Sequence, residues 1–208
     1  MKNNKALTLV IVITCINLLL WTMSDNDKES MADKDFKNYL AESWEISLSQ
    51  SPIYASMLGD KRFNTEIVSN SADEIEKRKL KVIDSYDEFK TFNINDLSES
   101  NRLNYMILDK DFSLEIDSHN YPEHFMDLNQ SGGIQSFYET GSRMIFSSYQ
   151  DYKDWLTRLE KYTSNIKNAN ANYKNGLELG YTQPKHITTY VLEQIESMVA
   201  VDIVNNPY

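Results

Sequence analysis

Cysteine, histidine, glycine and proline are all scarce in this sequence of 208 residues. It contains one cysteine, three histidines, six glycines and four prolines. A single cysteine excludes an intramolecular disulfide, and so few cysteines and histidines leave little material for a structural metal site. Low glycine and proline contents, together with 41% hydrophobic residues, argue against a disordered or collagenous chain. The sequence is therefore typical of a folded protein of at most one domain, or of part of a larger one.

Basic residues are also in the minority. The chain has 21 Lys and Arg against 31 Asp and Glu, which gives a formal net charge of −10. An acidic surface repels phosphate groups, so we expect no nucleic-acid partner. Before residue 25 the only charged residues are Lys2 and Lys5, so the rest of the chain is more acidic still.

The first 24 residues have the layout of a secretory signal. Lys2 and Lys5 precede an uncharged, largely apolar run over residues 6–21, and a polar stretch follows at residues 24–28. A basic start, an apolar centre and a polar exit are typical of an export signal. We therefore expect an exported protein of the periplasm or cell envelope, attached to the membrane through segment 1–24.

Three fates of this segment remain open. Residues 6–23 would form a helix of about 27 Å, close to a hydrocarbon core of about 30 Å, so an uncleaved anchor is one of them. Cleavage near residues 22–24 is the second. The third is lipidation of Cys15, because residues 12–15 resemble a bacterial lipobox, although Thr14 is unusual at that position.

From residue 25 onward, apolar residues recur at steps of three and four, the spacing of amphipathic helices. The pattern predicts helices over residues 33–49, from a capping box at Ser71, over 98–118, over 151–179, and from about Pro184. Gly180 is expected to end the fourth helix in a left-handed conformation. No strand pattern of comparable length is found. We therefore predict an all-α fold built from several long amphipathic helices.

Two of these helices carry further predictions about burial. The third has apolar residues over more than one stripe, so we expect it to be sandwiched between neighbours. The fourth is expected to bury one continuous seam rich in aromatic residues. That seam consists of Tyr152, Trp155, Leu159, Tyr162, Ile166, Ala169 and Tyr173.

Residues of catalytic type are present, but no motif joins them. His119, His124 and His186 are not part of any His-Glu-x-x-His run, so we predict no metal ligand among them. The acidic stretch at residues 109–117 is interpreted as a solvated helix face rather than a pair of catalytic carboxylates. Neither a Gly-x-Ser-x-Gly elbow nor a P-loop occurs. The sequence therefore predicts no catalytic residue, no metal ligand and no cofactor in this chain.

The most distinctive non-helical segment lies at residues 126–135 and contains a Gly-Gly pair. Two adjacent glycines permit unusual backbone angles or the close approach of another chain. We predict a cleft loop here, formed by Asn129, Gln130, Gly132, Gly133 and Gln135. A plain connection between two helices is the alternative.

Four motifs follow one another along the chain. Residues 51–63 combine Ser-Pro, Gly-Asp and a basic-aromatic pair after Trp44, and Asn-Gln-x-x-Gly begins at residue 129. Tyr-x-x-Trp-Leu-x-Arg-Leu spans 152–159, and Gly-x-x-x-Gly-x-x-x-Pro spans 176–184, ahead of Val-Leu at 191–192. In this order, and with Asn-Pro-Tyr at 206–208, they resemble the bacterial "domain of unknown function 885" (DUF885) family. The resemblance covers about residues 33–208.

This resemblance implies a mostly helical, exported or lipid-anchored protein that is several times longer than this body. The family resembles zinc metallopeptidases whose His-Glu-x-x-His motif lies in the C-terminal half. Because this sequence lacks the motif, no catalytic residue is transferred to it, and zinc is expected only in full-length relatives. We expect a truncated N-terminal portion of a larger metallopeptidase-like fold, walling one side of a cleft for a peptide-like substrate.

Two further expectations accompany this interpretation. A fragment should leave an apolar face uncovered, for instance on the last helix at Val191, Ile195, Val199 and Ile203. The alternative function is an envelope-attached, non-catalytic helical binding module that uses the 129–135 loop and the aromatic seam. Whether this chain belongs to an enzyme is left open by the residues themselves.

Overall fold

A computed structural model describes residues 30–205 of the chain. Within this range the chain forms seven α-helices, joined by loops and short 3-10 helices and without a β-strand. The helices are α1 (Met31–Gln50), α2 (Pro52–Met57), α3 (Ala72–Phe89), α4 (Glu99–Ser118), α5 (Tyr138–Ser142), α6 (Tyr149–Glu178) and α7 (Lys185–Val199). The prediction of an all-α fold is confirmed. Segment 1–24 with Cys15, and the motif at 206–208, lie outside the described residues.

Serine caps begin four of the long helices. Ser30, Ser71, Ser98 and Ser148 each accept a hydrogen bond from the backbone N–H three residues later. Such a bond satisfies one of the donors that have no partner within the helix. Ser148 forms a reciprocal capping box with residue 151, so α6 begins two residues before its predicted start. Gly180 ends α6 with φ of +86°, as predicted.

An aromatic cluster joins α1, α3 and α4. Phe36, Phe89 and Tyr105 are buried together, and the rings of Phe89 and Tyr105 stack with centroids 4.4 Å apart. Burial of each ring contributes about 1.5–3 kcal/mol. The Asp33 carboxylate of α1 also accepts hydrogen bonds from the Ser98 N–H and the Asn101 amide, both at 2.8 Å. The amino-terminal ends of α1 and α4 are therefore held side by side.

The prediction that the third helix is sandwiched is wrong for the described part of the chain. One side of α4 packs through Tyr105 into the aromatic cluster with α1 and α3. The other side exposes more than half the surface of Leu103, Met106, Ile107 and Leu114. The pattern of apolar residues on several faces was correctly identified, but within residues 30–205 only one of those faces is covered.

No helix in this range is long and apolar enough to span a bilayer.

The buried seam of α6 is largely polar, which corrects the predicted aromatic seam. Tyr152 and Ile166, two members of the predicted seam, are exposed. Polar residues occupy buried positions every seven residues, at Asp151, Arg158, Asn165 and Asn172. A second buried row has the same spacing, at Tyr162, Ala169 and Gly176. Steps of seven residues return to nearly the same face of a helix, so the two rows form one stripe.

The polar row binds an irregular segment, residues 58–71, which we name the strap. Asn165 donates to the Val68 carbonyl at 2.8 Å and accepts from the Asn70 N–H at 3.4 Å. Two turns further along α6, Asn172 donates to the Asn70 carbonyl at 2.9 Å. Backbone outside helices and sheets has polar groups that need partners, and the side chains of α6 supply them. The row is polar because its side chains form the hydrogen bonds that the strap backbone would otherwise lack.

Arg158 makes the most extensive of these contacts. Its Nε donates to the Glu66 carbonyl and one terminal nitrogen donates to the Phe63 carbonyl, both at 2.8 Å. The same terminal nitrogen reaches the Ser56 hydroxyl at 2.9 Å and the Pro52 carbonyl at 3.3 Å. A single side chain thus ties both α2 and the strap to α6.

Candidate functional site

The predicted cleft loop has one well-defined conformation. Asn129 and Gly132 exchange backbone hydrogen bonds of 3.1 and 3.3 Å, which closes a tight turn. The Asn129 side-chain oxygen accepts from the Ser131 N–H at 2.9 Å inside that turn. Gly133 follows with φ of +116°, a backbone conformation that residues with a side chain rarely adopt. Of the Gly-Gly pair, Gly133 is therefore the glycine that the shape of the loop needs.

Gln135 holds the turn from the inside. Its side chain is buried, and Nε2 donates to the carbonyls of Asn129 at 2.7 Å and Gly132 at 3.0 Å. The same amide nitrogen lies 3.3 Å from Oε1 of Gln194 on α7. Gln194 in turn donates to the Gln130 carbonyl at 3.0 Å. The five residues predicted to form the loop are thus brought together and attached to α7.

Aromatic residues of α6 support the other side of the loop. The Tyr162 hydroxyl donates to the Ile134 carbonyl. Phe137 stacks on the Tyr162 ring with centroids 3.9 Å apart and on the Trp155 ring at 5.6 Å. The loop is therefore fixed between α6 and α7, as a rigid binding surface requires.

An open apolar groove starts at this loop and runs between α6 and α7. Its volume is about 540 Å³. Its walls include Ile134 from the loop, Leu159, Tyr162 and Ile166 from α6, and Ile195 and Val199 from α7. An apolar cleft with a few fixed polar groups at one end is the usual form of a ligand site.

This groove also tests the prediction that the last helix leaves an apolar face uncovered. Ile195 and Val199 line it, and Val199 is 78% exposed. Val191 is buried, so its assignment to an uncovered face is wrong. Val191 lies about one turn before Ile195 on nearly the same face of α7, so this face is covered at Val191 and becomes open toward Val199. The side chain of Ile203 is outside what the structure describes.

The histidines do not assemble a metal site. Nε2 of His119 lies 4.0 Å from a carboxylate oxygen of Glu115, and the His124 ring packs against Phe125 at 4.2 Å. Burial lowers the pKa of His124. His186 is exposed in the first turn of α7. Within residues 30–205, no three His, Cys, Asp or Glu side chains are grouped to hold one ion, so the described residues do not fit the zinc of metallopeptidases.

The acidic stretch of α4 has two parts. Asp109 accepts hydrogen bonds from Lys90 Nζ and the Tyr86 hydroxyl, both at 2.9 Å, and these two groups lower the pKa of its carboxyl. It therefore connects α3 to α4, which a purely solvated face would not do. Asp111 and Glu115 are exposed, in agreement with a solvated face.

Sequence reasoning missed Gln194 and the buried polar row of α6. Gln194 lies in a helix with no motif around it, so nothing in the sequence signals its contact with the loop. The polar row did leave a signal, because Asp151, Arg158, Asn165 and Asn172 recur at strict intervals of seven. Polar residues at heptad spacing inside an apolar stripe indicate that the stripe binds polar groups of a neighbouring segment, most of them backbone groups in this chain.

We expect Gly133→Ala to lower the free energy of unfolding by about 1–3 kcal/mol, as measured by urea denaturation. A Cβ atom at this position would lie 2.8 Å from Gln135 Oε1 and 3.2 Å from Leu128 Cα, at an unfavourable positive φ. Gly132→Ala is the matched control, because its nearest atom is the Asn129 side-chain oxygen at 4.0 Å. Equal losses in the two variants would contradict the loop conformation.

Comparison with known protein families is informative over most of the chain. The family described as "Bacterial protein of unknown function (DUF885)" matches residues 52–207. This range includes the strap, the cleft loop, α6 and α7. No curated protein and no solved structure matches the chain. The match agrees with the resemblance of the four motifs, and the chain belongs to the DUF885 family of bacterial proteins.

Proposed function

We propose that this chain forms a peptide-binding wall of an exported, peptidase-like protein of the DUF885 family, whose catalytic motif is not among these 208 residues. The observation that carries the proposal is the position of the rigid 129–135 loop at the end of the α6–α7 groove. The resemblance of the family to zinc metallopeptidases supports the hydrolase class. No catalytic step is assigned to a residue of this chain.

The groove suits an extended peptide because apolar and polar surfaces adjoin in it. Beside the apolar groove lies a second hollow lined by polar residues, among them Gln130, Ser131 and Gln194. Gln135 lines both, so the two are continuous. An extended peptide alternates apolar side chains with backbone hydrogen-bonding groups, and the two surfaces offer one partner for each.

Fluorescence anisotropy with a labelled peptide of alternating leucine and serine tests the proposal. Ile195→Asp places a charge in the apolar groove, so we expect the Kd for the peptide to rise at least about tenfold. Leu192→Asp is the matched control, since Leu192 is on the same helix, is 53% exposed and does not line the groove. No binding by the parent chain, or equal weakening in both variants, would count against the groove.

A non-catalytic binding module attached to the cell envelope is the second candidate function. It is favoured by the composition of the groove, whose lining residues all lie within 134–199 and include no His, Cys, Asp or Glu. The two candidates differ in the coding DNA. An in-frame continuation beyond Tyr208 into a His-Glu-x-x-His motif supports the enzyme, whereas an immediate stop followed by an unrelated gene supports the module.

Export and membrane attachment are part of the same proposal. They are supported by the basic, apolar and polar order of segment 1–24. Lipidation at Cys15 would leave a palmitate-labelled protein in the producing bacterium. Metabolic labelling compared between the parent and Cys15→Ser tests this, and label in both proteins would rule out Cys15 as the site.

A further inference from the structure

A smaller cavity lies at the amino-terminal turns of α6, next to the turns that line the peptide groove, and it does not depend on the proposed function. It has a volume of about 50 Å³, and its lining includes Lys61, Met144, Ile145, Phe146, Trp155 and Arg158. On the same measure a water molecule needs about 10–15 Å³. The cavity therefore has room for a group the size of a carboxylate.

Arg158 is a buried cation without a carboxylate partner. It is 1% exposed, and the acceptors of its Nε and of one terminal nitrogen are three backbone carbonyls and a hydroxyl. Among the described residues its other terminal nitrogen contacts only the Met144 sulfur, at 3.7 Å, and thioether sulfur is a weak acceptor. Arg158 and Met144 both line the cavity.

The charge around the cavity is positive. Nζ of Lys61 lies 2.7 and 2.9 Å from the two carboxylate oxygens of Asp151, so these two charges compensate each other. Within residues 30–205, no carboxylate forms an ion pair with Arg158; burial lowers the pKa of its guanidinium, and the more distant charges of Glu66 and Asp154 oppose this shift only in part. A buried charge without a counter-charge is unfavourable. In a chain with a net charge of −10, this local positive excess selects for an anion.

We infer that this cavity binds the carboxylate of an organic acid, either a free small molecule or the C-terminus of a peptide. The terminal nitrogen of Arg158 that contacts the Met144 sulfur donates to the carboxylate. The half-exposed Lys61 side chain lines the same cavity. The apolar part of the ligand lies against Ile145, Phe146 and Trp155. These apolar walls favour an organic acid over inorganic phosphate.

Isothermal titration calorimetry with the full chain tests the inference. The probes are hexanoate, an N-acetylated tripeptide ending in leucine, the same tripeptide with an amidated C-terminus, and inorganic phosphate. We expect hexanoate or the free-acid tripeptide to bind, and the one that binds more tightly identifies the source of the carboxylate. The amidated tripeptide should not bind. Absence of binding by both acids, or tighter binding of phosphate, would overturn the inference.

Variants of Ile145 provide the matched test, because replacement of Arg158 would also release the strap. Ile145 lines the cavity and is 60% exposed, so substitutions there should leave the fold intact. Ile145→Glu brings a negative charge to the cavity and should weaken carboxylate binding at least about tenfold. Ile145→Gln has nearly the same shape as Ile145→Glu without the charge, so it should lose only the apolar contact of Ile145 and bind the carboxylate more tightly than Ile145→Glu. Equal affinities of the two variants would refute the anion site.

The two binding proposals can fail separately. Ile195 lines only the groove and Ile145 only the cavity. Ile195→Asp should therefore leave carboxylate binding in this cavity unchanged, while Ile145→Glu should leave binding of the alternating peptide in the groove unchanged. Loss of carboxylate binding in Ile195→Asp would show that the cavity is not an independent site.

Discussion

Replacement of Arg158 by methionine is expected to lower the free energy of unfolding by about 3–5 kcal/mol. The substitution keeps an apolar stem of similar length but removes the donors that bind the carbonyls of Phe63 and Glu66 and the hydroxyl of Ser56. Each buried acceptor left without a partner costs about 1–3 kcal/mol. Urea denaturation followed by circular dichroism measures the loss.

Arg143→Met is the matched control for this prediction. Arg143 is an exposed arginine whose guanidinium lies 3.7 Å from the Glu139 carboxylate. Exposed ion pairs contribute about 0–1 kcal/mol, so this variant should unfold almost like the parent. If both variants lost the same stability, Arg158 would not be the residue that fastens the strap.

The helices were predictable because they are local. A serine cap and a terminal glycine are properties of neighbouring residues, and Ser71 and Gly180 act as the sequence predicted. The capping box at Ser71 is only half formed, because the Ser71 N–H donates to Ser69 Oγ and not to Glu74. Helix starts differ by a residue or two, as for α6, because capping is completed by the reciprocal bond from Asp151.

The packing partners of the helices were not predictable in the same way. An apolar stripe predicts which face of a helix is buried, but it does not predict which element covers that face. For α4 the stripe was real, yet Leu103 and Met106 stay exposed within the described residues. For α6 the partner is an irregular strap with no periodicity of its own, so a polar seam replaced the expected aromatic one.

The cleft loop was located from its glycines, but its connection to α7 was not. A Gly-Gly pair marks backbone freedom, and Gly133 does use it. The contact of Gln135 with Gln194 joins residues 59 positions apart, and no local signal predicts such a pair. The sequence therefore identified the loop as a candidate site, and the structure shows the apolar groove that starts at this loop.

Two of the family-like motifs have clear packing roles. Arg158, in the motif at 152–159, fastens the strap, and Gly176, in the motif at 176–184, allows a close contact with Phe125. Their place in a family signature therefore does not by itself mark a catalytic role. Arg158 differs from Gly176 in one respect, because it also lines a cavity.

Gly176→Val is expected to destabilise the protein by about 3 kcal/mol, because overpacking and the loss of a close interhelical contact act together. A Cβ at this position would lie 2.7 Å from Phe125 Cβ and 3.1 Å from the Phe125 carbonyl oxygen. Phe125 has little room to move, since its ring packs against Tyr181 with centroids 5.5 Å apart. The segment before the cleft loop would have to separate from α6.

Asn170→Val is the matched control, because Asn170 is exposed on the same helix and valine has a similar helix propensity to asparagine. It should change the free energy of unfolding by less than about 0.5 kcal/mol. Gly176→Ala should fall between the two, since a gain of about 1 kcal/mol in helix propensity offsets part of the steric cost. Urea denaturation of the three variants gives this order. A Gly176→Val protein as stable as Asn170→Val would mean that residues 123–125 do not pack on α6, and the cleft loop would lose its anchor at that end.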